Sequence, residues 1–168
     1  MTNKVIARSL FFVIALMAIA QCIHDFPLLP DRMASHFGAS GAPNGWMSKP
    51  QFFIVFAIVF LPALFVEFWL HRKIAKSQGA RINLPNKEYW MAPERRAETF
   101  AYFENFFAWY GCAFLFVMVS AMSLAMRANF DPSPRLATGP IVSVLAGFLL
   151  YNVLAIAAML RRFSNPRG

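Results

Sequence analysis

The chain has 168 residues, of which 58% are apolar in type and 19 are Phe, against about 45–50% apolar usage in soluble domains. Charged residues make up only 14%, too few to clothe a water-exposed surface, so the composition points to a single all-α integral membrane domain spanning residues 1–168. The net charge of +8 does not call for nucleic acid in such a chain, because excess Lys and Arg marks the cytoplasmic loops of membrane proteins. Cys22 and Cys112 both sit in or at the end of apolar runs and build neither a disulfide framework nor a zinc set; no cofactor and no metal is expected.

The first predicted span runs from Val5 to His24. Lys4 and Arg8 precede an apolar run that ends in Ala18-Ile19-Ala20, a pattern that suits either a first membrane helix or a cleavable signal; the reading adopted is the helix. Gln21 before Cys22 argues against lipid attachment there.

The connection from Asp25 to Gln51 is the most polar and glycine-rich part of the chain. Ala42-Pro43-Asn44-Gly45 carries a turn signal, since Pro presets the first corner dihedral and Asn and Gly tolerate the next ones, with Gly38 and Gly41 adding freedom before it. The flanks "RMASHF" and "GWMSK" partly alternate, which predicts a short hairpin on the membrane surface with Trp46 at the interface and Lys49 as a charge at its boundary. Ser35, Ser40, Ser48, His36 and Asp31 are the side-chain types of a hydrolase triad, but "GASGA" is not a nucleophile elbow and no strand-turn-helix frame surrounds it. His24, Asp25, Asp31 and His36 lack any recognised ligand spacing. A membrane enzyme built on the His36 loop is kept only as an alternative.

The second span, Phe52 to Leu70, contains Pro62, which removes a backbone donor and predicts a kink. Glu67 lies near its end, one turn before His71, with which it is placed to pair. In the basic segment His71 to Tyr102, Gln78-Gly79 ends the span, Leu84-Pro85-Asn86 makes a turn, and Ala92-Pro93-Glu94 starts a helix that continues into the third span, Phe103 to Met126. Asn86, Tyr89, Trp90, Arg95 and Arg96 suit contact with anionic lipid at the headgroup layer, or docking of a cytoplasmic partner. After the connection Arg127 to Gly139, the fourth span covers Pro140 to Leu160. Ala121 with Ala125 and Ser143 with Gly147 give small-residue spacing for close helix packing.

Placing both termini inside puts Lys4, Arg8, Arg72, Lys73, Lys76, Arg81, Lys87, Arg95, Arg96, Arg161, Arg162 and Arg167 on the cytoplasmic side. Only Arg32, Lys49, Arg127 and Arg135 then lie outside. In that orientation Glu67, Glu104, Asn105 and Asn152 share the cytoplasmic half and form a candidate intramembrane polar cluster for an ion pathway or transporter component.

The stretch "LPDRMASHFGASGAPNGWMSK", Leu29 to Lys49, resembles the signature of a bacterial membrane domain of unknown function found at the N-terminus of SdpI-type immunity proteins. Pro30, His36, Phe37, Gly41, Pro43, Gly45, Trp46, Ser48 and Lys49 carry the resemblance; Gly38 stands where that family usually has Asn, and Ala42 and Asn44 stand where acids are common. The resemblance implies a multi-pass protein of the bacterial inner membrane that recognises an extracytoplasmic peptide or a membrane partner. The leading expectation is therefore a small non-enzymatic protein, immunity-like or an accessory subunit in a homo- or hetero-oligomer. Its recognition residues would be His36, Phe37, Pro43, Asn44, Gly45, Trp46 and Lys49.

Overall fold

The computed structural model describes residues 3–76 and 82–166. The expected break at Gln78-Gly79, the basic residues Arg81 and Arg167, and a Glu67–His71 pair lie outside what is described. Four helices are long and apolar enough to cross a membrane, within Asn3–Leu28, Lys49–Trp69, Pro93–Ala128 and Thr138–Ser164. Each exceeds the roughly 20 residues that a bilayer core requires.

In chain order, α1 (Asn3–Asp25) ends in a 3-10 turn (Phe26–Leu28), followed by strands β1 (Arg32–Phe37) and β2 (Pro43–Ser48). Then come α2 (Lys49–Phe65), a π-helical turn (Val66–Leu70), α3 (His71–Lys76), α4 (Lys87–Trp90), α5 (Pro93–Ala128) and α6 (Thr138–Ser164). The long helix α5 is the axis, with contacts to α1, α2, α6 and β1. One core cluster joins Ala18, Leu29, Met33, Phe52, Met122 and Met126, and so ties the hairpin to the helices beneath it; a second joins Phe11, Ala63, Cys112 and Leu115 lower in the bundle. Outward residues of α1, α2 and α6 such as Leu16, Ile58 and Leu149 are apolar and exposed, as a lipid-facing wall requires.

β1 and β2 form the expected hairpin, antiparallel, with Arg32 opposite Ser48 and Ala34 opposite Trp46. Its reversal is not where Pro43-Asn44-Gly45 suggested. The turn lies at Gly38–Ala42, closed by Gly38 N–H donating to Ala42 O (2.8 Å) and Gly41 N–H to Gly38 O (2.9 Å). Gly41 takes φ +78°, a conformation L side chains rarely adopt, so the chain reverses before reaching Pro43. Pro43, with no N–H to give to a ladder, occupies the first position of β2, where strands tolerate proline.

α5 starts at Pro93 as the sequence predicts and carries straight through. Pro62 lies inside α2, and four residues later the helix widens into the π turn that carries Glu67. Close packing at Gly147 is not observed: a Cβ built there meets nothing within 4 Å, and Ser143 spends its hydroxyl on Gly139 O of its own helix. Phe163 is the one buried residue of α6, and higher along the helix Phe148 packs its ring against Tyr110 (6.1 Å) and Phe114 (6.3 Å) of α5.

Candidate functional site

Four attachments hold the hairpin. Asn129, at the end of α5 and 3% exposed, accepts from Ala34 N–H through Oδ1 (2.7 Å); its Nδ2 donates to Ala34 O (2.9 Å) and to Ala125 O (2.8 Å). The carboxamide thus pairs with β1 as a neighbouring strand would. Leu136 N–H donates to Gly41 O (2.9 Å), and a Cβ on Gly41 would collide with the Leu136 carbonyl oxygen. Lys49 Nζ donates to Leu29 O (2.7 Å), pairs with Asp31 Oδ1 (3.4 Å), and lies over the Phe26 ring. Ser48 and Gln51 form a capping box at the start of α2, so the last residue of β2 also closes the next helix.

These attachments sort the expected recognition residues. Lys49 is largely buried and staples the loop rather than presenting a surface charge. Phe37 packs on the core, and Pro43 and Gly45 are half-buried. Gly45 has its own reason for being glycine: a Cβ there would lie 3.0 Å from His36 Cβ and 3.1 Å from His36 Nδ1. His36, Asn44 and Trp46 remain exposed, Trp46 at 43%, and Asn44 and Trp46 share the outward face of β2. The Arg32 guanidinium lies 5.3 Å from the Trp46 ring centroid. Beside this pair an open cleft of about 360 Å³ runs between the hairpin and the α5–α6 connection, lined by Leu28, Pro30, Phe130 and Pro134. His36 Nδ1 is 3.1 Å from Ser35 Oγ, and among the described residues no carboxylate joins that pair, so the third member of a triad is missing.

At the opposite end of the bundle the polar cluster has a different membership from the one expected. Glu67, with its side chain 0% exposed, accepts from Arg8 Nε through Oε1 (3.0 Å); Glu104 pairs with Lys4 (2.6 Å) and with Arg8 Nη2 (3.5 Å). Two cations and two carboxylates cancel, and α1 is tied to both the π turn and α5. Gly111 lies close against Glu67, and a Cβ there would stand 3.2 Å from Oε2, near enough to push the carboxylate aside. Asn152 does not join, because its amide is spent on Phe148 O one turn back (2.7 Å). Asn105 Oδ1 is buried and, like Glu67 Oε2, has no hydrogen-bond partner among the described residues.

The segment before α5 also turns inward. Asn86, at φ 52°, donates to the carbonyls of Phe163 (3.0 Å) and Ser164 (3.2 Å), and Trp90 Nε1 donates to Phe163 O (3.0 Å). Arg96 Nε donates to Met91 O (3.1 Å), and the Arg95 guanidinium lies 3.9 Å from the centre of the Tyr89 ring. Asn86, Trp90 and Arg96 therefore spend polar groups within the fold; Asn86 is nonetheless exposed, and Tyr89, Trp90, Arg95 and Arg96 are half-buried.

Two contributors escape a reading of the sequence. Asn129 works across 95 positions of chain and carries no local signal. Arg8 is visible only as one of the charges that set orientation. Residues 10–66, from within α1 through the hairpin to the π turn, match the family model described as a domain of unknown function (DUF1648). No curated protein and no solved structure matches the chain. By sequence, then, the helix–hairpin–helix part of this molecule, residues 10–66, is similar to DUF1648, a domain whose function is itself open.

Proposed function

We propose that this is a small non-enzymatic protein of the bacterial inner membrane, with both termini inside, whose hairpin recognises an extracytoplasmic peptide or a neighbouring membrane protein in an immunity-like or accessory-subunit role. The observation that carries the reading is the anchoring of the hairpin through Asn129. A two-stranded ribbon alone is marginal in water. Tied to α5 it presents Trp46, Arg32, His36 and Asn44 as a surface already ordered before binding, which lowers the entropic cost of association. Trp and Arg beside a cleft of mixed lining, with Leu28 and Phe130 next to Asp131, are the residue types that concentrate binding energy at interfaces.

The test is partner capture from the native membrane with Trp46→Ala and His36→Ala. Both variants are expected to insert and purify normally while losing a specific partner; unchanged recovery of that partner by both would refute the reading.

A second reading, an ion or proton pathway through Glu67 and Glu104, is favoured by the buried Glu67 Oε2 that no described residue satisfies. It requires ion- or pH-dependent flux in reconstituted vesicles that Glu67→Gln suppresses. The pairing of each carboxylate with Arg8 or Lys4 ranks it below the first.

A further inference from the structure

A second cleft, open and about 670 Å³ in volume, lies at the other end of the bundle, where the start of α5 meets the end of α6. Tyr89, Trp90, Arg95, Glu98, Arg161 and Arg162 line it. Three guanidinium groups face one carboxylate, an excess of two positive charges. Arg95 and Arg161 have no ion-pair partner among the described residues.

Two of the three arginines, Arg95 and Arg162, are held rather than loose. Arg95 is stacked on Tyr89 at 3.9 Å, and Arg162 lies 4.8 Å from the Tyr102 ring centre and 5.8 Å from that of Trp90. Arg162 Nη2 donates to Glu98 Oε1 (2.6 Å), yet its Nε is buried with no partner among the described residues, a donor still lacking an acceptor. The Glu98 side chain is mostly exposed, at 69%, so its pair with Arg162 is a surface pair that an incoming anion displaces toward water at little cost.

We infer that this cleft is a phosphate site, and that the phosphate it takes is the headgroup phosphate of an anionic lipid. Guanidinium forks match phosphate oxygens in pairs. Both helices that form the cleft are long and apolar enough to cross a membrane, and the cleft lies at their ends beside Tyr89 and Trp90, the residue types of the headgroup layer. The apolar wall of α6 below it, with Leu154 at 60% and Ile156 at 47% exposure, gives acyl chains a surface to run along.

The experiment uses the whole protein in a neutral-headgroup detergent, with retained lipid counted by native mass spectrometry during titration with phosphatidylglycerol, with phosphatidylcholine, and separately with inorganic phosphate. Phosphatidylglycerol should bind in preference to phosphatidylcholine. Arg95→Ala with Arg161→Ala should weaken it about thirtyfold, from roughly a fivefold step per basic residue at a membrane surface. Glu98→Gln, which frees Arg162, should tighten it several-fold, a gain that a misfolded variant does not produce. Inorganic phosphate binding with the same arginine dependence, in the absence of lipid preference, would support the phosphate site while assigning it to a soluble anion. Equal binding of both lipids together with no phosphate binding, or full retention by the double variant, would overturn the proposal.

Discussion

Asn129→Ala removes the side chain that hydrogen-bonds the end of α5 to β1. Three hydrogen bonds disappear, and Ala34, itself 0% exposed, is left with both its N–H and its C=O unpaired on that side. A buried backbone group left without a partner costs about 1–3 kcal/mol, so two such groups set a range of about 2–6 kcal/mol. Water entering the space vacated by the carboxamide recovers part of this, which brings the expected loss to about 2–3 kcal/mol of local stability. Hydrogen exchange of a peptide covering residues 32–37 reads that loss directly, as protection falling by roughly 30- to 150-fold while the α1 and α5 peptides keep theirs. Asn129→Asp is the sharper variant. An ionised carboxylate still accepts from Ala34 N–H but has nothing to donate to the carbonyls of Ala34 and Ala125, so it should resemble the alanine variant. Protection of residues 32–37 unchanged in both variants would refute the claim that this residue orders the hairpin.

Gly41→Ala meets a left-handed φ and the Leu136 carbonyl at once, and should destabilise the hairpin by more than the roughly 1 kcal/mol that a conformational penalty alone carries, seen as loss of protection over residues 38–43. Arg8→Ala leaves Glu67 buried without its counter-charge; because Arg8 is about a third exposed, the expected loss is about 2–3 kcal/mol, below the 3–5 of a fully buried pair. The double variant Arg8→Ala with Glu67→Gln should recover most of it in a thermal-stability assay in detergent, and a double variant no better than the single would contradict the pairing. Ser48→Ala removes the cap of α2 and should cost about 1 kcal/mol without altering partner capture, since the Ser48 hydroxyl faces Gln51.

The membrane helices were legible because hydropathy needs no tertiary information, and the start of α5 at Pro93 was legible because proline at a first helical position is a local signal. The strands were legible too, in the partial alternation of "RMASHF", which the structure breaks where Met33 and Ala34 are buried side by side ahead of a register shift. The turn was misplaced because Pro43-Asn44-Gly45 satisfies turn chemistry as well as Gly38 to Ala42 does. What decides between them is the α5–α6 connection: Leu136 gives its N–H to Gly41 O and crowds the Gly41 Cα, which selects a glycine with positive φ there. Lys49 reads in sequence as a boundary charge, and its role as a staple depends on the Leu29 carbonyl folding back beneath it. Asn129 and Arg8 gain their meaning from partners 95 and 59 positions away, and no short window of sequence contains that relation.

The measurement closest to the central claim is site-specific photo-crosslinking in intact native membranes, with the photoreactive residue in place of Trp46 and, as control, in place of Leu149 on the lipid-facing wall of α6. The account predicts one discrete crosslinked species from position 46, identifiable by mass spectrometry, lost when Asn129→Ala loosens the hairpin and absent from position 149. Crosslinking only to lipid at position 46, or the same species from both positions, would contradict a recognition role for the hairpin.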